Sequence, residues 1–138
     1  MSSERLPPIL DLEHLVRQTF ADRELEQEIL LLFDAQCARL LPVIARSPER
    51  RERADGAHTL TGAARAVGAE RLASLAAAIE AGESTGAVSM SNGRLLAELQ
   101  GAVDETRAAV AARLAEPNGD ARQAAHSPRW AGSPKGAP

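Results

Sequence analysis

The sequence predicts an all-α chain, an up-down four-helix bundle with a short extra N-terminal helix. Aromatic residues are scarce at 2%, with no Tyr and only Phe20, Phe33 and Trp130, while Ala and Leu abound. That balance favours helix over pleated sheet. Apolar residues recur at steps of three and four over long stretches. Helix start and stop signals also punctuate these stretches at short intervals, and short connections make neighbouring amphipathic helices antiparallel.

Residues 1–10, with Pro7 and Pro8, read as an extended lead-in. Asp11 suits the N-cap of a short helix carrying Leu12, Leu15 and Val16. Asp22 caps the next helix, near residues 23–45, with Leu25, Ile29, Leu32, Phe33, Leu40 and Ile44 on its stripe. Pro42 is expected to kink or end this helix about a turn before its periodicity stops. Ser47, Pro48 and Glu49 make a start signal for a third helix: an N-cap serine, a proline at the first position, an acid in the first turn. It runs to about Val67, and Gly68 is its natural stop. A fourth helix covers about 69–81, with Leu72, Leu75, Ala76 and Ile79 on one face and Gly82 closing it before a polar loop at 83–89. The last starts near Ser91, carries Leu95, Leu99, Val103, Val110 and Leu114, and stops at Pro117. The bundle thus spans 11–116. Residues 117–138, rich in Pro, Gly, Ala and Ser, are expected to be disordered, and the sequence gives Trp130 no specific role there.

The formal charge of −3 is uneven. Residues 117–138 carry Arg122, Arg129 and Lys135 against Asp120, a balance of +2 that leaves −5 for residues 1–116. A mildly acidic body gives no electrostatic case for nucleic-acid binding. Fifteen of the sixteen cations are Arg, and Lys135 is the only Lys, so the bundle has no lysine to offer a site. The single cysteine, Cys37, excludes an intrachain disulfide and reads as a small core residue. Nothing resembles a signal peptide or approaches the ~20 apolar residues of a membrane span, so the expected compartment is the cytoplasm. Phosphate-cradling loops, HExxH and CxxC are lacking, and His14, Cys37, His58 and His126 show no metal-ligand spacing. The expectation is no metal and no cofactor.

The stretch AHTLTGAARAVGAERLASL, residues 57–75, holds one histidine among small residues, with a glycine one turn later. Glycine inside a helix costs roughly 0.5–1 kcal/mol relative to alanine. On a helix of 3.6 residues per turn, Ala54, Ala57, Leu60, Ala64 and Val67 share the core face. His58, Thr61, Gly62 and Arg65 share a small, polar, cationic face expected to look outward. Gly62 leaves a notch through which another backbone can approach. Arg65 lies about 10 Å along the axis from His58 at ~1.5 Å per residue, and helical side chains lean toward the N-terminus, so it reaches back toward the imidazole. Asp55, one turn before His58, could accept a bond from the ring and orient it. Face geometry alone leaves His58 a weak candidate, since a lone helical histidine is more often surface decoration or a satisfied core residue.

These residues resemble the signature of histidine-containing phosphotransfer domains: His-x-Leu-Lys-Gly, then small residues and Gly-Ala-x-x-Leu. The matching positions are His58, Leu60, Gly62, Gly68, Ala69 and Leu72. The lead-in DLEHL, the segment around Phe33 and the end of the fourth helix at Glu80 are also similar; the likeness runs over about 9–115 and is specific over 57–75. It implies a four-helix bundle with the reactive histidine exposed on a middle helix. It also implies a phosphorelay carrier rather than an enzyme, acting as a monomer. His58 would exchange a phosphoryl group with aspartates of response-regulator receiver domains, in a relay fed by a sensor (hybrid) histidine kinase, the partner receiver supplying Mg²⁺. Gly62, Ala57 and Asp55 would form the docking surface. Where the family pattern has lysine, this sequence has Thr61, so phosphate support would fall to Arg65 and the Thr61 hydroxyl. A phosphotransfer-like module that binds a kinase or receiver without transferring phosphate stays open as the alternative, as does an unrelated helical adaptor.

Overall fold

A computed structural model of the chain describes residues 8–85 and 90–117. Five helices are formed: α1 (Leu12–Gln18), α2 (Arg23–Arg46), α3 (Arg50–Val67), α4 (Glu70–Thr85) and α5 (Met90–Ala115), and the described residues contain no strand. Helices α2 to α5 form the bundle. Each packs on the next in chain order and α5 closes on α2, while α1 lies against α2 and α3. The core draws on the predicted stripes, with Leu15, Leu60, Leu72, Leu99 and Val103 among its fully buried side chains. On α2 the buried face runs through Leu30, Phe33, Cys37, Leu40 and Ile44 at steps of three and four, so Leu30, left off the predicted stripe, is fully buried, while Leu32, placed on it, is 67% exposed. Cys37 is part of it. Burial pushes its thiol up to about 11, so it stays neutral, as a core cysteine should. The predicted lead-in lies largely, and the predicted tail almost wholly, outside the described residues.

The aspartate caps form as their sequence positions require. Asp11 accepts from the His14 N–H at 3.1 Å, and Asp22 from those of Glu24 and Leu25. Gly68 stops α3 in the left-handed conformation, φ +85°. Its carbonyl accepts from the Asp11 N–H at 2.9 Å, and a Cβ at Gly68 would sit 2.9 Å from the Asp11 carbonyl oxygen. One glycine therefore both ends α3 and lets α1 dock on that end.

Three boundaries differ from the sequence reading. Pro42 does not end α2, which runs on to Arg46. Pro42 and Ala38 are both exposed, so the carbonyl that loses its N–H partner faces water, while Val43 and Ile44 pack against α3 at Gly56. Ser47 is the C-cap of α2 rather than the N-cap of α3. Its hydroxyl accepts from the Glu49 N–H and donates to Glu52, which leaves Glu49 as an N-cap without a side-chain bond. Helix α4 passes through Gly82 to Thr85 instead of ending near Ala81. Glu83, assigned to a loop by sequence, receives two bonds from the Arg53 guanidinium at 2.9 and 3.0 Å, fastening the last turn of α4 to α3. Residues 86–89, the remainder of the predicted loop, lie outside the described residues.

A second set of ion pairs ties α2 to α5. Glu26 is buried and held from two sides by Arg23 and Arg113, and Arg23 also donates to the Arg113 carbonyl at 2.7 Å. About two helix turns further along, Arg107 grips Asp34 with two bonds at 2.7 and 3.1 Å.

Candidate phosphotransfer site

The outward stripe of α3 is Arg51, Asp55, His58, Gly62 and Arg65, all exposed. Their spacing of four, three, four and three is one face of a helix. Helices α2 and α4 pack on either flank of α3, so this stripe is the strip of α3 left to solvent. A Cβ at Gly62 would meet nothing within 4 Å, so the notch predicted from the sequence is open space beside the histidine.

His58 has 75% of its side chain exposed, and its Nδ1 lies 3.0 Å from Glu80 Oε2 on α4. An ionised carboxylate only accepts, so Nδ1 carries the proton and donates it to Glu80. Glu80 is 31% exposed; α4 holds it in place and thereby fixes the tautomer and orientation of the ring. Nε2, across the ring, makes no hydrogen bond among the described residues. It carries the lone pair that the Nδ1 proton leaves free.

The structure redistributes the roles inferred for the neighbours. Thr61 does not share the outward face. It is 6% exposed and its hydroxyl donates to the Ala57 carbonyl at 2.8 Å. It is an interior residue satisfying itself within the helix, and its proton is not available to a phosphate at His58. Ala57 is fully buried, so it packs the core and offers no side chain to a partner. Asp55 is exposed but makes no hydrogen bond to the ring; Glu80 takes the orienting place expected of it. Arg65 is exposed and forms no ion pair among the described residues. Among the described residues, no group of three or more His, Cys, Asp or Glu side chains is placed to hold a metal ion.

The resemblance implied a histidine exposed on a middle helix of a bundle, and His58 is exposed on α3. A model of the family described as the Hpt domain matches residues 23–109, from the start of α2 into the last third of α5. The chain belongs to the Hpt domain family. No curated protein and no solved structure matches the chain significantly. Hpt domains are phosphotransfer carriers of two-component signalling rather than classical enzymes, and they work with receiver domains and histidine kinases. In this Hpt domain α1 precedes the matched region, yet its N-cap residue Asp11 is bonded to Gly68 inside it. No helix among the described residues is long and apolar enough to cross a membrane.

Two residues of consequence were missed by sequence reasoning. Glu80 entered only through the resemblance, because its pairing with His58 depends on the register of α4 against α3. Gly56 drew no attention, yet a Cβ there would lie 3.2 Å from Ile44 Cγ1. Its signal was present in the sequence: a glycine one residue before the core position Ala57, on a helix already carrying another glycine.

Proposed function

We propose that this Hpt domain is a phosphorelay carrier and that His58 is its phosphoacceptor. The observation that carries the reading is the pairing of Nδ1 with Glu80, which leaves Nε2 free at an exposed position. In the forward step the Nε2 lone pair attacks the phosphorus of a receiver aspartyl phosphate in line with the leaving oxygen. The N–P bond forms, the P–O bond to the aspartate breaks, and the aspartate departs as carboxylate. Nδ1 keeps its proton on Glu80, which steadies the charge the ring gains. Return to a second receiver aspartate reverses these steps.

Phosphoryl transfer of this kind depends on positioning and charge neutralisation. The receiver brings Mg²⁺ and its acidic pocket, and this chain needs no cofactor of its own. The chain brings the nucleophile, the space at Gly62 for the partner's backbone, and Arg65, which leans along the helix toward His58. The partners are response-regulator receivers and a sensor (hybrid) histidine kinase, met by a monomer in the cytoplasm. One observation favours binding without transfer: position 61 supplies no cation and its hydroxyl points into the fold.

The two readings separate when the protein is mixed with a receiver domain carrying a radiolabelled aspartyl phosphate. Transfer predicts an acid-labile label on this chain that is abolished in His58→Gln while helicity is retained, since an exposed side chain contributes little to stability. Complex formation without label, or full labelling of His58→Gln, overturns the assignment.

A further inference from the structure

The outer face of α1 is not covered by the bundle. Leu12 is 40% exposed, Val16 half-buried, and Phe20, just past the helix end, 85% exposed. Leu12, Glu13, Val16 and Arg17 of α1 and Arg113 of α5 line a shallow groove of about 380 Å³. Glu13 and Arg17 form no ion pair among the described residues, whereas Arg113 is fixed on Glu26 and Glu116. The groove is thus an apolar strip, Leu12 and Val16, with one unpaired acid and one unpaired base beside it.

The chain itself leaves the bundle at this groove. Arg113 lies four residues before Pro117, about 6 Å along the helix at ~1.5 Å per residue. Trp130, the only tryptophan, stands thirteen residues after Pro117 and directly follows Arg129. At no more than about 3.5 Å per residue, thirteen residues span up to about 45 Å, so the groove is within the indole's reach. The segment that carries it has a charge of +2 against −5 for residues 1–116. Tethering at this range gives a millimolar effective concentration, enough for a single aromatic anchor to occupy a shallow site.

We propose that Trp130 seats in the groove between α1 and α5, its indole against Leu12 and Val16 and beneath the Arg17 guanidinium, with Arg129 paired to Glu13. A guanidinium over an indole face is a favourable cation–π arrangement. Tryptophan covers a large apolar area while losing little rotational freedom. The occupant is this chain's own segment rather than a foreign peptide because it starts beside the groove and has the complementary charge. Seated there, it covers α1, the helix that docks on the end of α3 at Gly68.

The chain has one Trp and no Tyr, so intrinsic fluorescence of the full-length protein reports Trp130 alone. The expected emission is blue-shifted from that of the chain in denaturant, with acrylamide quenching several-fold weaker. Leu12→Glu should shift the emission to the denatured position and restore quenching while the circular dichroism stays helical. Glu13→Arg, a change at an exposed position that leaves the apolar strip intact, should do so in part by repelling Arg129; it decides the matter if Leu12→Glu disturbs α1. Native emission and quenching equal to those of the denatured chain overturn the proposal. So does a blue shift that survives both substitutions, which places the indole elsewhere, or one lost on dilution, which assigns it to another copy.

Discussion

Two glycines sit six residues apart on α3, and they are there for opposite reasons. At Gly56 an added Cβ would press on Ile44 Cγ1 at 3.2 Å, while at Gly62 it would meet nothing within 4 Å. The first lets α2 and α3 approach and is explained within the molecule. The second weakens the helix and gains no internal contact in return, and it leaves open space beside His58, which the proposed function assigns to an approaching partner. Two glutamates divide the same way. Glu26 is buried between Arg23 and Arg113 and fastens α2 to α5, whereas Glu80 sits at the surface and holds one nitrogen of one ring. Residue type alone does not tell structural from functional; what each side chain meets does.

The widest gap is expected between the glutamates. Glu26→Ala leaves two partly buried guanidinium groups without their carboxylate and should lower stability by about 3 kcal/mol, the lower range for breaking a buried pair. Glu80→Gln removes an exposed pair whose contribution is roughly 0–1 kcal/mol, so its melting temperature should hardly move while its transfer rate does. Thermal melts beside transfer assays check both, and a strongly destabilised Glu80→Gln would make Glu80 a structural residue and collapse the distinction.

Next come the glycines. Gly56→Val should destabilise by about 2 kcal/mol through overpacking against Ile44. Gly62→Ala should stabilise by up to ~1 kcal/mol through helix propensity, and Gly62→Gln should slow transfer without loss of stability. Denaturant midpoints and transfer rates of the three variants sharpen the contrast; unchanged transfer in Gly62→Gln would remove the reason given for the open notch.

A smaller effect is expected at the cations. Arg65→Ala should slow phosphoryl gain about tenfold, since ~1.4 kcal/mol is one decade in rate. Restoring the family's lysine with Thr61→Lys does not offset that loss, because the side chain at 61 points inward. Burying an ammonium there and breaking the bond to the Ala57 carbonyl should lower the melting temperature instead. A faster and equally stable Thr61→Lys would contradict the inward placement of Thr61.

The bundle was legible because its signals are local: stripes at steps of three and four, two aspartate caps, and a glycine at Gly68 whose φ of +85° is hard for other residues. The boundaries that shifted depend on partners distant in sequence, as where Arg53 holds Glu83 helical from thirty residues away. The site divides along the same line. His58, Gly62 and Arg65 could be placed on one face by counting along α3. Thr61 lies only three positions from His58, and counting put it outside, but helix packing buries it and its hydroxyl turns back to the Ala57 carbonyl. Glu80 could not be counted to at all, since the pairing rests on how two helices meet.

The most direct test of the account reads the ring of His58 itself. Protein labelled with ¹⁵N in its histidine rings, phosphorylated by a receiver and observed through long-range ¹H–¹⁵N correlations, shows which histidine and which nitrogen bears the phosphoryl group and whether the other keeps its proton. The account predicts phosphorylation at Nε2 of His58 with the Nδ1 proton retained, and loss of that selectivity in Glu80→Gln. A phosphoryl group on Nδ1, or on His14 or His126 with His58 unmodified, would contradict it.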